Sequence, residues 1–255
     1  MTEVEWGRLK AAELNERAAA GAIAILPVAS TEQHGPHLAT GVDTILCGEI
    51  CRRAAHKLVE RGEPAVVAPV LWAGLAEHHV EFGGTFTLSL ATYHGLLRDL
   101  CASILGAGFE RIVIVNGHGG NVSALNALSA ELTAELESPI AIATYWLLAD
   151  EAFAASLEDQ RSVLHACEGE TAMMMAARPE LVDRGRLAEA FGPMPDDRRG
   201  TVLNQPLHRW RSFKEITPSG VIGDARRATA EKGERLLDAA AEALAGRLAK
   251  GEPWG

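Results

Sequence analysis

The run "RIVIV" at 111–115 stops abruptly at "NGHGGN", and that junction constrains the fold more than any other stretch. β-Branched residues dominate the run, so it reads as a buried strand, and the glycines after it let the backbone turn tightly and approach a ligand closely. The same grammar recurs along the chain. "AIAILPV" (22–28), "AVVAPVLW" (65–72) and "IAIATYW" (140–146) read as further strands. Helical stretches lie between them at 44–62, at about 92–106 and in "VSALNALSAELTAELE". Strands separated by helices imply right-handed crossovers and an α/β fold with a mostly parallel central sheet covered by helices. In such a sheet, functional side chains gather at the C-terminal strand ends.

After about residue 150 the pattern is less regular. "EGETAMMMAARPELV" reads as a helix ended at Arg178–Pro179, a loop-rich stretch begins at "FGPMPDDRRG", and "TAEKGERLLDAAAEALAGRLA" is a closing amphipathic helix. No internal repeat or low-complexity linker marks a boundary, so one domain over 1–255 is expected. The 34 acidic and 24 basic residues give a formal charge of −10. That charge opposes binding to nucleic acid or to an anionic membrane surface. No apolar run is long enough to span a bilayer and the N-terminus does not resemble a signal peptide, so a cytoplasmic location is expected. Cys47, Cys51, Cys101 and Cys167 lack the paired spacing of a thiolate zinc site and are expected to be reduced and mostly buried.

Three segments concentrate potential ligands. In "STEQHGPHLATGVDT" (30–44), Glu32 and His34 leave the end of the first strand with a spacing that lets both face one side. Asp43 stands just before a helix, where it could instead be an N-cap. In "NGHGGN", His118 follows another strand end, and Asn121 is placed to cap the next helix. The Gly-rich turn matches neither a dinucleotide nor a Walker-type phosphate fingerprint. In "HACEGET", Gly169 suggests a helix beginning nearby, with His165 on the incoming loop and Glu168 and Glu170 in the first turn; an acidic first turn also suits a helix dipole. Taken together, imidazoles and carboxylates at one sheet edge suit Zn²⁺, Mn²⁺ or Fe²⁺, and one carboxylate could bridge two ions. Zn²⁺ is the first expectation.

These motifs, in this order, resemble the creatininase (creatinine amidohydrolase) family, and the tail "SGVIGDARRATAEKGERLL" extends the likeness across nearly the whole chain. The resemblance implies a three-layer α/β/α sandwich, a small-molecule amide substrate and a homo-oligomer, commonly a hexamer. It also implies metal ligands at Glu32, His34, Asp43 and His118, with Asp43 bridging. Creatininases carry an acidic ligand two residues after the "NGH" histidine, where this chain has Gly120. Glu170 is the expected replacement, with Glu168 as runner-up. Creatininases also place a Glu directly before the later histidine, where this chain has Leu164. The Gly-Gly version therefore looks more like members that open other amides, with peptide-trimming and formamide-specific hydrolases of cofactor biosynthesis among the alternatives. A metal-binding oligomer without catalysis is the alternative from a different class.

The expected chemistry is hydrolysis of a non-peptide C–N bond in a small cyclic or formyl amide, with His165 or Glu168 moving the proton to the leaving nitrogen. Trp146 and His78 are candidate substrate contacts, with core and surface roles as their ordinary alternatives, and His79 shares the position of His78. His37 has no ligand role in the motif and is expected beside the pocket.

Overall fold

The computed structural model describes residues 2–195 and 209–254. The strands β1 (Ile23–Val28), β2 (Ala65–Val67), β3 (Arg111–Asn116) and β4 (Ile140–Thr144) form one sheet in the order β2-β1-β3-β4. Every pairing is parallel. Helix α1 (Ala11–Ala19) precedes β1, and α2 (Val42–Glu60), α3 (Leu90–Gly106) and α4 (Val122–Leu136) lie between the strands. After β4 come the short α5 (Tyr145–Leu148) and α6 (Asp150–Ser156), then α7 (Glu168–Ala177), α8 (Phe213–Ile216) and α9 (Ala230–Leu248).

Strand side chains alternate between two cores, which is why the strands are apolar throughout. Ile23, Ile25, Val113 and Val115 point into a cluster with α2, α7 and α9. Ala24, Leu26, Ile112 and Ile114 point the other way, into a cluster with α1, α3 and α4. The result is the expected three-layer sandwich. Fully burying one of these Ile or Val side chains stabilises the fold by roughly 1.5–3 kcal/mol.

Two strands are shorter than their apolar runs. β4 ends at Thr144 because its partner β3 ends opposite, with Asn116 aligned to Thr144, so Tyr145 and Trp146 enter the helical turn α5. The β2 ladder lapses after Val67 near Pro69, which has no N–H to give, and resumes only as an isolated bridge between Val28 and Leu71. No helix among the described residues is long and apolar enough to cross a membrane.

Candidate metal centre

β1 and β3 are neighbours that end together, with Val28 opposite Asn116. The loop bearing Glu32 and His34 and the loop bearing His118 therefore leave the sheet side by side. Asn116 fixes the second loop: its Oδ1 accepts from His118 N at 3.0 Å and its Nδ2 donates to His118 O at 2.9 Å. Asp43 comes from the first turn of α2, inside the helix rather than before it, and Gly41 takes the N-cap position. A side chain at Gly117 would strike Cys47 and crowd the Asp43 carbonyl, so glycine there is what lets the His118 loop approach α2 closely.

The approach places both oxygens of Asp43 in use. Oδ1 lies 3.1 Å from His34 Nε2, and Oδ2 lies 3.0 Å from His118 Nδ1. Glu32 Oε2 is 3.1 Å from His118 Nδ1, and Glu170 Oε2 is 3.9 Å from His34 Nε2. Two ligand sets result, Glu32–Asp43–His118 and His34–Asp43–Glu170, each with donor atoms within 4.8 Å of one another. They share Asp43. A third grouping joins Glu32 and His34 to His165.

The donor set fits divalent cations. His34 Nδ1 faces the Glu32 carbonyl at 3.2 Å and His118 Nε2 faces the Leu75 carbonyl at 3.3 Å. Each ring donates there and turns its other nitrogen toward the carboxylates, the usual preparation of a ligating imidazole. Glu32 Oε2 and His34 Nε2 are buried without a hydrogen-bond partner even though charged atoms lie close by. Such atoms converge on shared points instead of bonding each other. The ion pairs of Glu32, Asp43 and Glu170 among the described residues are all with histidines, so neither Lys nor Arg neutralises the cluster.

The electrostatics express that deficit. Burial pushes Glu170 up to about 7 against the pull of His34, with Asp43 adding to the rise. Burial would lower His34, but the Asp43 carboxylate outweighs it and raises the imidazole to about 9. His118 is raised for the same reason by Glu32 and Asp43, and Glu32 is held well below the ordinary carboxylate range because His118 and His79 outweigh its burial. His165 is driven well below its ordinary value by burial and by His34 and His79, so its imidazole is neutral.

A cavity of about 70 Å³ opens onto the cluster. Glu32, Asp43, His118 and Glu170 line it together with His78, His165 and Trp146, and Val163, Leu164, Phe213 and Ile222 add apolar surface. Glu168 does not reach it. Its carboxylate accepts from Glu158 N at 3.0 Å and pairs with Lys232 Nζ, so the catalytic role expected for Glu168 is corrected to a buried ion pair. Asn121 is corrected too. Instead of capping α4, its side chain accepts from Leu75 N at 3.0 Å and donates to Ala29 O and Asn116 Oδ1. His37 bonds Thr171 Oγ1 at 2.7 Å, beside the site and outside the cavity.

Sequence reasoning overlooked Gln33, which contacts both His79 and His165, and Phe213, whose ring lies 4.1 Å from that of His79. The available signal for Gln33 was its position between two candidate ligands, Glu32 and His34.

The model of the family described as "Creatininase: Creatinine amidohydrolase" matches residues 7–248. The chain belongs to the creatininase family. Among characterised relatives, it is 33% identical to a mycofactocin precursor peptide peptidase of Mycolicibacterium smegmatis, over 90% of this chain and 85% of that protein. It is 28% identical to a creatinine amidohydrolase of Pseudomonas putida, over 94% of each. A solved creatininase structure aligns with a TM-score of 0.82 at 26% identity, covering 99% of both chains. A creatininase variant described as of Zn–Zn type aligns at 0.78 and 25% identity, covering 99% of this chain and 100% of that one. A side chain at Gly120 would collide with the Leu75 carbonyl and the rings of His118 and His78, while Glu170 arrives from α7, its Oε2 held by Ala166 N at 2.6 Å.

Proposed function

We propose that this chain is a dimetal amidohydrolase that opens the C–N bond of a small cyclic or formyl amide. The observation that carries the reading is Asp43, whose two oxygens face separate His–Glu sets. Glu32, His118 and Asp43 would hold one ion, and His34, Glu170 and Asp43 the other, with Zn²⁺ favoured and Mn²⁺ or Fe²⁺ as alternatives for nitrogen and oxygen donors. Such ions, when bound, supply Lewis acidity that polarises a carbonyl and makes water nucleophilic at neutral pH.

The chain's own groups do the rest. His165, neutral and with Nδ1 3.7 Å from Glu32 Oε1, stands where it can take a proton and return it to the leaving nitrogen. His78, kept neutral because burial and the neighbouring His118 push it down to about 3, can offer a hydrogen bond without a charge. Trp146 and Phe213 give the substrate flat apolar walls and limit water entry.

The cavity is far below the ~300–1,000 Å³ usual for drug-sized ligands. It therefore favours a compact amide over a peptide. Sequence identity favours the opposite reading, a peptide-trimming hydrolase, because a characterised relative at 33% identity is named a peptidase. The family resemblance also supports assembly into a homohexamer.

Metal analysis combined with a substrate panel of formamides, small lactams, creatinine and short peptides tests the proposal. The expected outcome is two ions per chain, turnover of a formyl or cyclic amide, and loss of both metal and turnover in Asp43→Asn. Cleavage confined to peptides would shift the assignment to the peptidase. A chain that takes up no divalent metal from supplemented medium would overturn the metal chemistry itself.

A further inference from the structure

Gln33 lies between two ligands of the cluster and is buried, and every polar atom of its side chain is engaged. Its Oε1 accepts from Gly35 N at 2.9 Å, which fixes the orientation of the amide and makes Nε2 the donor. Nε2 has three neighbours: His79 Nδ1 at 2.9 Å, His165 Nε2 at 3.0 Å and the Gly220 carbonyl at 3.2 Å. It carries only two hydrogens.

Two carbonyl oxygens, which can only accept, resolve the choice. Gly220 O is reached by Gln33 Nε2, and the main-chain oxygen of Gln33 itself is reached by His165 Nε2 at 2.9 Å. Satisfying both leaves one pattern: His165 carries its proton on Nε2, and Gln33 gives its second hydrogen to His79 Nδ1. His79 must then hold its own proton on Nε2, where it faces Glu32 Oε1 at 3.1 Å.

We propose that Gln33 is a positioning residue that sets the tautomers of both histidines. His79 becomes an obligate donor to Glu32 Oε1, turning Oε2 toward His118. His165 becomes a neutral imidazole with a bare Nδ1 directed at the cluster. The backbone is shaped for this amide: Gly220 has φ +77°, and any side chain there would collide with Gln33 Oε1. The consequence for hydrolysis rests on the dimetal reading. The hydrogen-bond assignment does not, since it concerns the protein's own atoms.

The test is ¹⁵N NMR of metal-free protein labelled at histidine, with resonances assigned through His79→Gln and His165→Gln variants. The expected spectrum shows a bare Nδ1 and a protonated Nε2 on both rings. Gln33→Glu keeps the shape but cannot donate from that position, so it should place a proton on His79 Nδ1 and weaken zinc binding by about 10–100-fold, the range typical when a partner that orients a metal ligand is lost.

A protonated Nδ1 on either ring in the unmodified protein overturns the proposal, as does a folded Gln33→Glu protein with unchanged tautomers and zinc affinity. If Gln33→Glu does not fold, the spectrum of the unmodified protein decides alone. Expected tautomers in a protein that hydrolyses no amide would count against the enzymatic reading and leave the role of Gln33 intact.

Discussion

Glu168 and Glu170 are two residues apart in one helical turn and both are buried, yet their surroundings differ in kind. Glu168 meets Lys232, which also holds Glu158 Oε1 at 2.9 Å and the Arg227 carbonyl at 3.1 Å. Glu170 meets His34, with Asp43 and Glu32 near enough to raise its pKa. The first acid is neutralised by a cation the chain supplies. The second lies among acids and imidazoles, and no Lys or Arg among the described residues pairs with it. The contrast separates an acid paired with a lysine from one whose recorded ion-pair partner is an imidazole.

Removing the cation of the first region should have the largest effect. Lys232→Met leaves Glu168 buried and unpaired, and a loss of about 3–5 kcal/mol in denaturant unfolding is expected, with much of it recovered when Glu168→Leu is added. If Lys232→Met instead unfolds at the midpoint of the unmodified protein, Glu168 is not serving the fold and the comparison collapses. Next in size is the pair Glu170→Gln and Glu168→Gln. Glu170→Gln should weaken the second ion by about 10–100-fold while leaving the first bound. Glu168→Gln should keep both ions and lose stability instead. Equal metal content in the two variants, read by elemental analysis after dialysis, would erase the distinction.

The two carboxylates were only partly separable from sequence. On a helix, residues two apart lie about 200° around the axis, so "EGET" already implied that Glu168 and Glu170 face different ways. Nothing in that motif shows which one faces the site, because Lys232 is 64 residues further along and becomes a neighbour only when α9 packs on α7. The strands were legible for a simpler reason: RIVIV and AIAILPV are buried on both faces and must read as continuous apolar runs. Their ends were less so. Trp146 lies on a helical turn because β3 offers β4 no partner beyond Asn116, a limit set by another segment. Gln33 escaped notice because a neutral amide carries no charge or ligand signature, and its importance lies wholly in which groups surround it.

A pH experiment sharpens the same comparison from the side of the cluster. The His34 imidazole is raised from 6.5 to about 9 in the metal-free protein. A group raised on folding contributes its full stability below its unfolded pKa and loses it as pH rises through the folded value. Metal-free protein should therefore lose melting temperature between pH 6.5 and about 9. Zinc affinity should climb over the same interval, because the ion must displace that proton. Parallel melting curves with and without zinc check both signs, and a metal-free protein that gains stability across that range would contradict the charge balance. The smallest effect belongs to the third side of the turn, where Thr171 Oγ1 meets His37 Nε2. Thr171→Val should cost about 1 kcal/mol by thermal unfolding and leave metal content unchanged.

The packing of α9 on α7 also orders events during synthesis. Gly233 lies so close to the Ala172 carbonyl that no side chain fits between the helices, and Lys232 locks the first turn of α7 from the same helix. All of the metal-ligand candidates precede α9 in the chain, so α7 lacks its α9 packing partner until the last segment is made. A ribosome needs on the order of seconds for the roughly sixty residues between them. During that interval the nascent chain already holds Glu32, His34, Asp43, His118 and Glu170, while the helix that packs against the Glu168–Glu170 turn is still missing.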